Sequence, residues 1–330
     1  MMAQIEPAAR FSADSLRIDP AAVTAQITAA LREQVLKRLR RRGVVLGISG
    51  GVDSSVVASL CVRAFGPNNV FGLFTTERDS EPESLVLGRL LAGKLGIQST
   101  VEDIAPILAA AGCYRRRDGF IREVFPEYGP GYKCKLVLPD VLANRGYNVL
   151  SLVIESPSGE QKRARPPLHV VLGIVAATSM KQRTRKQMEY YHADRLNFAV
   201  AGTPNRLEYD QGFFVKNGDG AADVKPIAHL YKCQVYQLAE YLGVPDEIRT
   251  RPPTTDTYSL PQTQEEFFFA ISLEKLDRCL YAYNHGVPAA EAAAAVGLTE
   301  ADVERVYKDI AAKRHAARYQ HEPPLLVQPL

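Results

Sequence analysis

The order of apolar and polar positions divides the chain into short apolar runs and amphipathic stretches. Residues 20–41 space their apolar side chains at helical intervals behind Asp19, and predict a first helix with Asp19 as its N-cap. The run Val44-Val45-Leu46-Gly47-Ile48 is short and β-branched, and predicts a strand buried in a parallel sheet. The alternation then recurs as helix 54–65, strand 70–75, helix 83–95, strand 98–103 and helix 104–111. It resumes with a helix over 168–193, a strand over 197–201 and a helix over 230–242. Three helical pieces, 272–284, 289–296 and 300–315, precede a tail rich in Pro and Leu. No internal repeat is visible.

Strand–helix alternation of this kind predicts an α/β fold, a doubly wound parallel sheet flanked by helices, with ligands at the carboxyl ends of the strands. We read residues 1–330 as a single domain with an insertion at about 113–167 and a helical C-terminal extension at about 272–330. The insertion mixes aromatics, Gly and Pro without regular periodicity and includes an extended segment at 147–155. It is expected to cover the site or to touch another subunit. Arg251-Pro252-Pro253 breaks the chain, and 254–263 is expected to be a polar, mobile loop.

Composition changes this picture little. A hydrophobic fraction of 46% with 23% charged residues is ordinary for a globular protein, and a net charge of +3 gives no argument for a nucleic-acid partner. Positive charge is local instead, at Lys37–Arg42, Arg115–Arg117 and Lys181–Lys186. Such runs read as solvated faces, or as contacts to a phosphate-bearing substrate. The five cysteines, Cys61, Cys113, Cys134, Cys233 and Cys279, form no Cys-x-x-Cys pair, so neither a disulfide framework nor a zinc site is expected. A reduced, cytoplasmic compartment follows as the expectation. No apolar run approaches the ~20 residues of a membrane span, and the N-terminus lacks a signal-peptide core.

Chemistry concentrates at Ser49-Gly50-Gly51-Val52-Asp53-Ser54-Ser55, between a strand and a helix. Gly50 and Gly51, with Gly47 just before them, let the main chain come close to phosphates. The helix that follows offers free N–H groups and a positive dipole end to an anion. Ser49, Ser54 and Ser55 add hydroxyls, and Asp53 can hold a divalent cation against the phosphates. A Walker lysine is absent, which argues against an ordinary P-loop. A bare strand-to-helix turn with a serine cap would explain the same residues, but not the coincidence of all these features.

This loop resembles the pyrophosphate-binding signature of the N-type ATP pyrophosphatases, which implies cleavage of ATP between the α and β phosphates. Further motifs narrow the resemblance: Lys181-Gln182-Arg183-Thr184-Arg185, Gly202-Thr203-Pro204-Asn205-Arg206-Leu207-Glu208, residues 212–223, Pro226–Lys232 and Pro253-Thr254-Thr255-Asp256. Their order and spacing are similar to those of the ammonia-dependent NAD synthetases, over about 24–112 and 168–285. That resemblance implies ATP-dependent amidation of deamido-NAD to NAD through an acyl-adenylate, with ammonia consumed and AMP and pyrophosphate released. It implies Mg²⁺ on Asp53 and Glu208, ATP contacts from Thr203, Lys232 and Thr254 beside the loop, and Asp53 and Lys232 as the catalytic pair. Arg183, Phe213, Lys216 and Asp219 fall at deamido-NAD positions, and Ser179 at a position in the nicotinate pocket. A homodimer is implied as well. Ammonia is expected from solution or from a separate donor, because nothing ahead of the first helix resembles a glutaminase.

Two positions depart from the family pattern. Ser179 stands where the family has Asn, and Phe268 where it has an acid supplied to the partner's pocket. The C-terminal basic element has two candidate counterparts, 313–315 and 318–321. A second reading is therefore a paralogue amidating another carboxylate, and a third is a catalytically silent ATP-binding protein.

Overall fold

The computed structural model describes residues 11–139, 142, 150–254 and 257–328. In chain order its elements are α1 (Pro20–Arg32), β1 (Val44–Gly47), α2 (Val52–Phe65), β2 (Val70–Thr76), α3 (Pro82–Leu95), β3 (Gln98–Asp103), α4 (Ala105–Ala110) and α5 (Cys113–Arg122). Then come β4 (Lys133–Val137), β5 (Ser151–Glu155), β6 (Gln161–Ala164), α6 (Leu168–Leu196), β7 (Ala199–Val200) and α7 (Arg206–Gln211). The chain finishes with α8 (Lys232–Tyr241), α9 (Asp246–Arg249), α10 (Leu273–Asn284), α11 (Ala289–Val296) and α12 (Glu300–His321).

Four strands form a parallel sheet in the order β3-β2-β1-β7, with Val44 opposite both Val70 and Ala199. β1 is buried on both faces because helices cover both. Val44 and Leu46 join a core with residues of α1, α2, α3 and α8, whereas Val45 packs with Phe71, Val200 and Ala193 of α6. The chain leaves β1 toward β2 on one side and later returns as β7 on the other. A crevice therefore opens at the carboxyl end of β1, where this topology places ligands. The doubly wound α/β expectation holds. No helix among the described residues is long and apolar enough to cross a membrane.

Asp19 caps α1 as expected, accepting from Ala21 and Ala22 N–H. The helix ends earlier than 41, however: it widens into a π turn at Glu33–Arg38, and Arg40 adopts a left-handed φ of 53°. α6 and α12 run longer than expected, to Leu196 and His321. The insertion is not irregular. It holds α5 and an antiparallel sheet β4-β5-β6 whose inner side chains, Cys134, Leu136, Leu152 and Ile154, share a core with Ile121, Val170 and Ile174. Its strands are too short, and its Gly and Pro too frequent, for periodicity to reveal them. Of the extended segment expected at 147–155, residues 147–149 lie outside the described residues, and 151–155 is β5. Gly173 lets α6 approach α5, since a Cβ there would sit 2.3 Å from the Phe120 ring.

The loop at 254–263 also differs from expectation. Thr255 and Asp256 lie outside the described residues, but Thr254 pairs with Thr263, and Leu260 N–H donates to Cys134 O at 3.2 Å. A π turn at Glu265–Phe269 follows. β4 has an edge that β5 does not cover, and this segment satisfies its backbone groups.

Candidate active site

β1 delivers the chain into Ile48-Ser49-Gly50-Gly51, and α2 begins at Val52. Gly50 has φ +75°, and a Cβ at that position would lie 2.6 Å from Ser84 O, so both conformation and space demand glycine. Gly51 is the N-cap of α2 and brings no side-chain acceptor, which leaves the first-turn N–H groups for an anion. Ser49 and Ser54 hydroxyls lie 3.2 Å apart, and Gly51 N–H donates to Ser49 Oγ.

A cavity of about 690 Å³ opens here. Ser49, Gly51, Asp53, Ser54, Thr203, Glu208, Lys232 and Thr254 line it, together with Ser179, Arg183, Phe213, Lys216 and Asp219. Three expected residues do not line it. Ser55 is buried, and its hydroxyl donates back to Gly51 O at 2.8 Å, bracing the loop from behind. Gly50 is occupied with the turn, and Gly47 lines a smaller adjoining cavity.

The electrostatic centre joins three distant parts of the chain. Lys232 Nζ, at the start of α8, donates to Asp53 Oδ2, and Asn205 Nδ2 donates to Asp53 Oδ1 at 3.0 Å. Asn205 also forms a reciprocal capping box with Glu208: each side chain accepts from the other's backbone N–H. Gln264 Nε2 donates to Glu208 Oε1 at 2.9 Å. Lys232 and Cys233 N–H groups donate to the Asp277 carboxylate of α10, which fixes the N-terminus of α8. Burial opposes charge on Lys232, but Asp53 and Glu208 outweigh it and raise its pKa, so the ammonium persists. Burial, and then the Asp53 charge, push Glu208 up to about 8. Among the described residues no group of three or more His, Cys, Asp or Glu side chains is arranged to hold a metal ion by itself. A cation here would therefore meet Asp53 and Glu208, with its remaining positions open.

The other half of the cavity is aromatic and basic. Phe268 lines this chain's own cavity and stacks on Phe213, ring centroids 4.7 Å apart. Lys313 Nζ sits 5.0 Å from the Phe268 ring centre. Arg183 Nε donates to Lys216 O, and Lys216 Nζ donates to the carbonyls of Tyr319 and Glu322 at 2.9 Å each. Lys216 thereby caps the end of α12, from which Ala316, Tyr319 and Gln320 line the cavity. Asp219 accepts from Val215 N–H at 2.8 Å, so it shapes its own turn while lining the cavity. Of the basic candidates, Arg314 pairs with Asp210 instead.

Two of the positive runs are solvated only in part: Arg115, Arg116 and Arg183 are exposed, whereas Arg117, Lys181 and Lys186 are buried. Lys181 is fully buried, donating to Glu77 Oε1 (2.8 Å), Asp79 Oδ2 (2.7 Å) and Thr257 O (2.8 Å). Lys186 pairs with Glu189, and Arg117 with Asp79 and Asp118. These buried positions fall on helix faces turned into the protein, where Glu77 and Asp79 of the β2–α3 loop, or acids of the same helix, meet them. Sequence reasoning missed Asn205, Gln264 and Asp277 as site residues. Asn205 carried a readable signal, since Asn-x-x-Glu at 205–208 is a capping-box pattern. Gln264 and Asp277 carried none, because only tertiary contact brings them in.

The family model for NAD synthase matches residues 23–119 and 163–320. An NH(3)-dependent NAD(+) synthetase of Rhizobium meliloti (strain 1021) is 63% identical over 97% of this chain and 96% of its own. One of Thermotoga maritima is 38% identical over 75% of this chain and 82% of its own. Solved structures share the fold. An NMN synthetase from Francisella tularensis matches at TM-score 0.65 and 21% identity, covering 94% of this chain and 99% of that one. An NH3-dependent NAD synthetase from Campylobacter jejuni matches at TM-score 0.60 and 21% identity, covering 94% and 100%. With its matched segments spanning most of its length, the chain belongs to the NAD synthase family.

Proposed function

We propose that this protein is an ammonia-dependent NAD synthetase that converts deamido-NAD to NAD with ATP. The observation that carries the reading is the meeting of Asp53, Glu208 and Lys232 in one cavity at the bare N-terminus of α2. ATP lays its phosphates along Ser49, Gly51 and Ser54, with Thr203 and Thr254 as further contacts. The deamido-NAD carboxylate attacks the α-phosphorus, and the bond to the β-phosphate oxygen breaks. Lys232 and the α2 N–H groups neutralise the departing pyrophosphate. Ammonia then attacks the acyl carbon, AMP leaves, and the excess proton passes to solvent.

Mg²⁺ suits the donor set. Asp53 and Glu208 are hard oxygen donors of the kind Mg²⁺ takes, close enough for one charge to raise the other's pKa. Bound there, Mg²⁺ would supply charge neutralisation on the phosphates. Arg183, Phe213, Lys216, Asp219 and Ser179 hold the dinucleotide, the aromatic pair Phe213–Phe268 offering a flat apolar face. Residues 1–330 act as one catalytic unit, and free cysteines fit a cytoplasmic setting.

We place a second copy of the chain against α6. Leu168, Leu172 and Val175 form an exposed apolar stripe along it, and Val175 also lines the cavity. Ammonia comes from solution or a separate donor. The altered-acid and silent readings are less favoured, because proteins 60–63% identical over nearly the whole chain carry the NAD(+) synthetase name. The test is direct: purified protein with deamido-NAD, ATP, Mg²⁺ and ammonium should yield NAD, AMP and pyrophosphate in equal amounts. Absence of NAD, with AMP formed on another acid, would refute the reading.

A further inference from the structure

The sheet β4-β5-β6 lies almost wholly in residues 120–162, between the two stretches that the family model matches. β4 is an edge strand, paired with β5 on one side. Its other edge faces the segment after Thr257, and alternate residues make the contacts, as the pleat requires. Cys134 N–H donates to Ser259 Oγ at 2.9 Å, and Cys134 O accepts from Leu260 N–H. Leu136 O accepts from Gln262 Nε2, and Leu138 N–H donates to Glu266 O at 2.9 Å. Gln262 is 4% exposed, and its Oε1 has no partner. A half-satisfied buried amide is unfavourable, so its retained bond to Leu136 is the feature that stands out.

What this edge holds is the wall of the nucleotide cavity. Thr263 bridges Thr254, Gln264 N–H donates to Pro253 O, and the Gln264 side chain reaches Glu208. From the opposite side, Lys181 fixes Thr257 O.

We propose that β4 is a splint, with Gln262 and Ser259 as positioning residues. It holds residues 257–266 so that Thr254 and Gln264 stand in place before substrates arrive. The inference rests on the functional reading above for what the cavity binds. Preorganisation lowers the ordering cost of binding and leaves the chemical step alone.

Hydrogen exchange of the ligand-free wild-type protein is the first test. The Leu260 and Leu138 amides should exchange at least about 100-fold slower than unstructured peptide. Exchange at the unstructured rate until ATP is added would overturn the splint. In Gln262→Met, and separately in Ser259→Ala, KM for ATP should rise about tenfold while kcat stays within about twofold. A fall in kcat with KM unchanged in either folded variant would also overturn it. Calorimetric binding of ATP with Mg²⁺ to the same proteins reads the same tenfold weakening without turnover. A failure of the deamido-NAD assay is thereby distinguished from a failure of the splint.

Discussion

At the scale of single residues, the site depends on one buried ammonium set against two acids. Lys232→Met removes the only positive side chain bonded to Asp53 among the described residues, leaving the Asp53 carboxylate without its cation and pushing the Glu208 pKa further up. It should lower AMP formation by about 10²–10³-fold at saturating ATP, read by pyrophosphate release. Gly50→Ala should be damaging for a different reason. A left-handed φ costs a non-glycine residue about 1–2 kcal/mol, and the added methyl meets the Ser84 carbonyl. A lowered Tm together with weakened ATP binding is the expected result. Asp79 governs acid stability. Burial works against its charge, but Lys181, Arg117 and Arg78 hold its carboxyl at about 2. Because that lies below the ordinary value of about 3.9, the stabilisation is present above pH ~4 and is lost as pH falls toward 2. It amounts to roughly 2 kcal/mol. Denaturant titrations of wild type and Asp79→Asn should converge across that window and stand apart at pH 6.

Elements show where the sequence was legible. β1, the glycine loop and α2 could be read directly, since strand length, glycine spacing and helix periodicity are local properties. Asp53, Glu208 and Lys232 could be chosen by motif. The partners that set their charge could not, because Gln264 and Asp277 arrive from loops and helices far along the chain. Lys181 misled for a related reason. A cation in a helical run reads as solvated until the β2–α3 loop brings Glu77 and Asp79 to it. The insertion stayed opaque because three short strands leave little periodicity, and its core is completed from outside by α6, Tyr258 and Phe267. Contact between α5 and α6 supplies a test. Gly173→Val would drive a branched side chain into the Phe120 ring and should destabilise by about 1–3 kcal/mol, measured as a fall in Tm.

For the whole molecule, the cavity draws on both sequence-distant halves of the sheet and on the C-terminal helices, whose apolar core is separate from that of the sheet. The exposed stripe on α6 continues this cavity outward. If the proposed dimer forms through this stripe, wild type should sediment as a dimer and Leu168→Asp combined with Leu172→Asp as a monomer, with Tm nearly unchanged because both side chains are exposed in the single chain. A persistent dimer would place the interface elsewhere. The π turn at 265–269 ties the parts together. Phe267 packs with the insertion's core, Phe268 stacks on Phe213 at the cavity, and Phe269 is buried among the C-terminal helices. Three successive rings thus gather around Phe213, while each also reaches a different part of the protein, and each is addressed by count alone. Deleting or adding one residue there would deliver every ring to the wrong neighbour, so this stretch is locked in length even where its individual residues could change. Related chains should vary here by substitution, and gain or lose residues elsewhere.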